Sequence, residues 1–75
     1  MDYKSVGKII RFHRKQADLS REGLAKVAGV GKTVVFDVEN GKLSVRFETL
    51  VKLLKALNIR LYFESPLMEQ FSENS

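Results

Sequence analysis

Val6, Ile9, Ile10, His13 and Ala17 recur at the i, i+3, i+4, i+7 spacing of an amphipathic helix, with Lys8, Arg11 and Lys15 off that face. The pattern predicts a first helix that stops at "ADLS" (17–20). Ser20 is a good N-cap for a second, short helix running to Ala28, with Leu24, Ala25 and Val27 or Ala28 on its buried side and Gly29 as its stop. A third helix is expected from about Lys32 to Glu39, with Val35 and Val38 inward, ended by Asn40-Gly41. "GKLSV" (41–45) reads as a loop. "RFETLVKLLKALN" (46–58) is the clearest amphipathic stretch, with Phe47, Leu50, Val51, Leu53, Leu54 and Leu57 inward and Lys52 and Lys55 outward.

The period then changes. In "IRLYFE" (59–64), Ile59, Leu61 and Phe63 alternate with Arg60, Tyr62 and Glu64, the signature of a half-buried strand. No second strand is found in the sequence to pair with it, and a lone strand leaves its backbone donors and acceptors without a ladder. The simplest partner is the same segment of another copy, antiparallel about a two-fold axis, which predicts a homodimer joined through Ile59, Arg60, Leu61, Tyr62 and Phe63. Pro66 ends the strand. Residues 65–75 read as an acidic, mobile tail in which Leu67, Met68 and Phe71 are spaced to dock on a partner. The expected organisation is therefore a body of residues 1–64 and a tail of residues 65–75.

Seventy-five residues without cysteine make one small domain with no disulfide, and with His13 as its single histidine the usual structural zinc site is excluded. No apolar run reaches the roughly 20 residues of a membrane span, and "MDYKSVGK" lacks a signal-peptide core, so a cytoplasmic protein without membrane association is expected. Charge is uneven. All 13 basic residues precede residue 61 and face six acidic ones, leaving +7, whereas residues 61–75 carry −3. A basic body suits a polyanion. No carboxylate pair, Ser/His arrangement or metal spacing supports an enzyme, a cofactor or a bound metal; Lys4, Lys8, Lys15, Lys52 and Lys55 read as solvated helix faces, and His13 as a partly buried core position.

Gly31-Lys32-Thr33 resembles the end of a phosphate-binding P-loop, but five residues earlier stands Lys26 rather than glycine, and the preceding segment is a helix rather than a strand. Two short helices joined by a glycine-containing turn fit instead a helix-turn-helix unit, whose second helix enters the DNA major groove. With Val35 and Val38 inward, Lys32, Thr33, Phe36 and Asp37 occupy the outer face. Lys32 suits the guanine O6 and N7 acceptors, and Thr33 suits polar base edges or a thymine methyl. Asp37 has two readings, acceptance from a cytosine N4 or restraint of a neighbouring basic side chain. Phe36 either packs on sugar and thymine methyls or folds back on its helix.

"IRFHRK" (10–15), "LSREGLAKVAGVGKTVVFDVENGK" (19–42) and "VRFETLVKLLKALNI" (45–59) together resemble the Cro/C1-type (XRE) helix-turn-helix family. The strand after the last helix narrows the resemblance toward HipB-type antitoxins, which repress their own operon and bind a HipA-type kinase toxin. The resemblance implies an all-α, lambda-repressor-like bundle of four to five short helices, with the C-terminal strand paired across a homodimer on a palindromic double-stranded DNA operator. It also implies base contacts by Lys32 and Thr33, with Asp37 a further candidate, phosphate contacts by Arg21, Lys42, Ser44 and Arg46, and an internal Arg14–Glu39 ion pair. The chain departs from the family pattern at Gly31, in place of a capping Ser or Thr, and at Gly23, in place of the Glu or Gln of a capping box. A stand-alone transcriptional regulator without a toxin, and a protein-interaction module on the same fold, are the alternatives.

Overall fold

Four helices account for most of the chain in the computed structural model, which describes residues 3–42 and 44–71: α1 Tyr3–Gln16, α2 Arg21–Ala28, α3 Lys32–Glu39 and α4 Phe47–Ala56. A single 3-10 turn follows at Met68–Gln70. Ser20 starts α2 as its chemistry requires: its backbone is extended and its hydroxyl oxygen accepts from the Gly23 amide at 2.8 Å, satisfying one of the helix's free N–H groups. Gly31 starts α3 with no side chain to do the same.

All four helices stop in the same way. A residue in the left-handed conformation follows each one: Asp18, Gly29, Gly41 and Asn58, with φ of 58°, 74°, 78° and 58°. The next residue's amide then reaches back five positions, in the bonds Leu19 to Arg14, Val30 to Ala25, Lys42 to Asp37 and Ile59 to Leu54. These are Schellman turns, which occupy carbonyls that the helix leaves free. Glycine, asparagine and aspartate are the residues that enter this conformation most easily. Leu19, Val30 and Ile59, placed just beyond three of these turns, fold back against the core.

The core is Ile10 from α1, Leu24 and Ala25 from α2, Val35 and Val38 from α3, and Leu53 and Leu54 from α4. α2 packs on both α3 and α4, and α1 lies on α3. The buried stripe of α1 is Gly7, Ile10 and Arg14, with Val6 half-buried beside it; Ile9, assigned inward from the sequence, is 42% exposed, and Ala17 is exposed. Adjacent helical residues point about 100° apart, so Ile9 and Ile10 cannot share one narrow contact. Gly7 decides between them. A Cβ built there would land on the Val38 carbonyl oxygen, with the Glu39 carbonyl oxygen 3.1 Å away, so α1 can approach the end of α3 only along the face that Gly7 leaves bare. Phe47, also assigned inward, is exposed, because α4 turns Leu53 and Leu54 into the core and leaves its first residue beyond the neighbouring helices.

The strand expected over Ile59–Glu64 does not form. After the Ile59 amide bonds to Leu54, residues 60–64 are irregular and make no backbone hydrogen bond among the described residues. The alternation is present, but a strand is a ladder rather than a pattern, and the described chain holds no second strand to form one. Arg60–Phe71 are exposed throughout. The radius of gyration, 13.9 Å, exceeds the value of about 11 Å for a compact chain of this length. Residues 72–75, the end of the expected tail, lie outside the described residues.

Candidate nucleic-acid interface

Glu39, the last residue of α3, is the point at which three helices are tied. Arg14 of α1 meets it with two parallel bonds, Nε to Oε2 at 2.6 Å and Nη2 to Oε1 at 3.0 Å, and donates Nη1 to the Leu19 carbonyl at 2.8 Å. Arg21, the first residue of α2, donates Nε to Oε1 at 3.2 Å. Both partners of the first pair are buried: Arg14 is 7% exposed and the Glu39 side chain 1%. Burial alone pushes the Glu39 carboxyl up, but the Arg14 bonds and charge, joined by those of Arg21, outweigh it and hold the group below the ordinary carboxylate range. The Glu39 hydrogen bond likewise raises Arg14 against the effect of its burial.

This clamp leaves the outer face of α3 open. Lys32 and Thr33 are exposed at its first turn, beside the positive end of the helix dipole. Lys32 Nζ stands 4.0 Å from Glu22 Oε2, an exposed pair that holds it weakly. Phe36 is 51% exposed, with the Arg21 guanidinium 5.3 Å above its ring centre, a cation–π arrangement. Asp37 is half-buried and lies 3.7 Å from Lys42 Nζ. Ser44 and Arg46 are exposed on the connection into α4, and Arg46 is the residue that precedes that helix. Lys32, Thr33, Arg21 and Phe36 therefore share one hollow, while Asp37 and Ser44 line a separate, smaller one with Val34 and Val45.

Arg11 and Lys15 line the same hollow, although the sequence placed them only on the polar side of α1. Their i, i+4 spacing was the available signal. It could not say that this stripe ends beside the starts of α2 and α3. His13 is half-buried, with Nδ1 2.7 Å from the Ile9 carbonyl oxygen and its ring edge-on to Phe12. The described residues contain no cluster of His, Asp or Glu able to hold a metal ion and no helix long and apolar enough to cross a membrane.

Residues 10–63 match a family model described as Helix-turn-helix. The chain is 31% identical over 61 residues to the ImmF control region 10 kDa protein of Bacillus phage phi105, a match covering 81% of this chain and 68% of that protein. It is equally identical, over 61 residues, to the HTH-type transcriptional regulator y4mF of Sinorhizobium fredii, covering 81% and 80%. Control protein C.SmaI of Serratia marcescens is 37% identical over 59 residues, covering 77% and 70%.

Proposed function

The chain belongs to the helix-turn-helix family, and we propose on that premise that it is a sequence-specific DNA-binding regulator that represses transcription from its own promoter. The observation that carries this reading is the open outer face of α3, a helix anchored at its end by the Arg14–Glu39–Arg21 clamp and bordered by basic side chains. In this reading Lys32 and Thr33 contact base edges in the major groove, and Arg21, Lys42, Ser44 and Arg46 contact phosphates. The Lys42 contact favours Asp37 as a restraint on that lysine rather than a base reader. The Arg21 contact likewise favours Phe36 as a platform for the guanidinium. No catalytic residue, cofactor or metal enters, and the protein works in the cytoplasm, where its promoter is.

The active form is a homodimer on a palindromic operator, with α3 of each protomer in successive major grooves about 34 Å apart. Its contact lies at the end of α4, where Val51, Leu54, Ile59 and Leu61 line a mainly apolar groove of about 450 Å³ rimmed by Lys55 and Arg60. The body ends near residue 64, and the acidic segment beyond it is a separate arm.

Two of the relatives carry the word control in their names, which supports a regulatory role. The second reading, an antitoxin that also binds a HipA-type kinase, draws on the exposed apolar residues Leu61, Tyr62, Phe63, Leu67 and Phe71. Copurification with a co-expressed kinase from the same operon distinguishes the two. DNA binding itself is tested with labelled duplex from upstream of the gene in excess competitor. The wild type is expected to stay bound and Lys32→Ala/Thr33→Ala to lose the competitor-resistant complex; a variant that keeps it would remove α3 as the reading element.

A further inference from the structure

The C-terminal turn of α1 and the starts of α2 and α3 border an open hollow of about 740 Å³. Four cations line it with charge to spare: Arg11, Lys15, Arg21 and Lys32. Arg11 and Lys15 have no ion-pair partner among the described residues, and only Nε of Arg21 is engaged, leaving its two terminal nitrogens without a partner there. The guanidinium is held at its edge by Glu39 and on its face by Phe36, and Arg21 is among the residues that line the hollow. Glu22, the single acidic residue of the lining, has its carboxylate turned to Lys32. Two helix N-termini add partial positive charge at the same place.

We propose that this hollow is a docking site for the sugar-phosphate backbone of duplex DNA, with Arg11 and Lys15 of α1 forming a second wall opposite the Arg21 fork. The proposal rests on the DNA-binding reading and extends it: the strand beside the groove occupied by α3 is gripped from α1 as well as from α2. Phosphate contacts of this kind orient the protein without reading sequence. Arg11 and Lys15 thus raise affinity equally for every duplex, and Lys32 and Thr33 carry the preference among them.

The test compares the full-length wild type, Arg11→Gln/Lys15→Gln, and Lys26→Gln/Lys52→Gln, a control that removes the same charge from exposed positions outside the hollow. Dissociation constants are measured on the upstream duplex and on a scrambled duplex between about 50 and 200 mM salt. The slope of log affinity against log salt falls by about 0.9 for every phosphate that the protein no longer neutralises. The hollow variant is expected to lose between about 0.9 and 1.8 from the slope, to weaken by the same factor on both duplexes, and to keep its helical circular dichroism, while the control keeps the wild-type slope. An unchanged slope in the hollow variant, an equal loss in the control, or a loss confined to the upstream duplex would overturn the proposal. Absence of any duplex binding by the wild type would instead remove the DNA reading itself, and the proposal with it.

Discussion

Glu39 ties three helices together, because side chains of α1 and α2 meet on the two oxygens of this last residue of α3. Deleting one member of a buried pair leaves the other charge unpaired and costs about 3–5 kcal/mol. A chain of this length has a total stability of roughly 4–11 kcal/mol, so the loss is a large share of it. Glu39→Gln is accordingly expected to lower the urea midpoint sharply at pH 7. The wild-type pH dependence has a definite sign. A carboxyl held lower in the folded state than in the unfolded chain stabilises fully above its unfolded value, about 4.3, and loses that contribution as pH falls through its lower folded value. Urea titrations from pH 6 downward should show the wild type losing more stability on acidification than Glu39→Gln; parallel curves would show that another group governs the acid limb.

At the scale of the elements, two glycines make opposite predictions. Gly7→Ala gains helix propensity of about 1 kcal/mol, but its new methyl meets the carbonyl oxygens of Val38 and Glu39, backbone that cannot turn aside. Overpacking of this kind costs about 1–3 kcal/mol, so the variant is expected to be less stable, with α1 displaced from α3. Gly31 has nothing within 4 Å of a built Cβ and an ordinary φ of −73°. Gly31→Ser supplies the missing cap and restricts the unfolded chain, for a gain of roughly half to one kcal/mol. Thermal melts of both variants check the pair, and a stabilised Gly7→Ala would mean that the α1–α3 approach is looser than described. Ser20, Gly29 and Asn40-Gly41 announce the limits of α2 and α3 because each carries its signal in its own chemistry. The turns at Asp18 and Asn58 are not legible in the same way, since aspartate and asparagine are equally at home in other turns and at helix starts.

The whole molecule departs from a compact form through its C-terminal arm, where Tyr62, Phe63, Leu67 and Phe71 stay largely exposed. If residues 59–63 and the groove at the end of α4 join two copies, Leu61→Lys sets a charge into that contact, beside Arg60 and Lys55. Sedimentation at micromolar concentration should then give twice the chain mass for the wild type and a single chain for the variant. A wild type that sediments as one chain would end the dimer proposal. The expected consequence of dissociation is weaker operator binding, because each α3 then acts without the partner that holds the second half-site.

The sequence by itself determined the helices, their order, their caps at Ser20 and Gly29, and the inward faces of α2 and α3, because propensity, capping and periodicity are local and act on residues a few positions apart. It also marked Lys32 and Thr33 as the outer start of α3, since the faces of so short a helix follow from Val35 and Val38 alone. Only the tertiary structure decided which face of α1 is buried, because that choice belongs to Gly7 and the carbonyls of α3, more than thirty positions away. The same holds for the pairing of Arg21 with both Glu39 and Phe36, and for the gathering of Arg11, Lys15, Arg21 and Lys32 around one hollow. The alternation of residues 59–64 marks the opposite limit: a strand needs hydrogen bonds from a second strand, and a pattern along one chain cannot supply them.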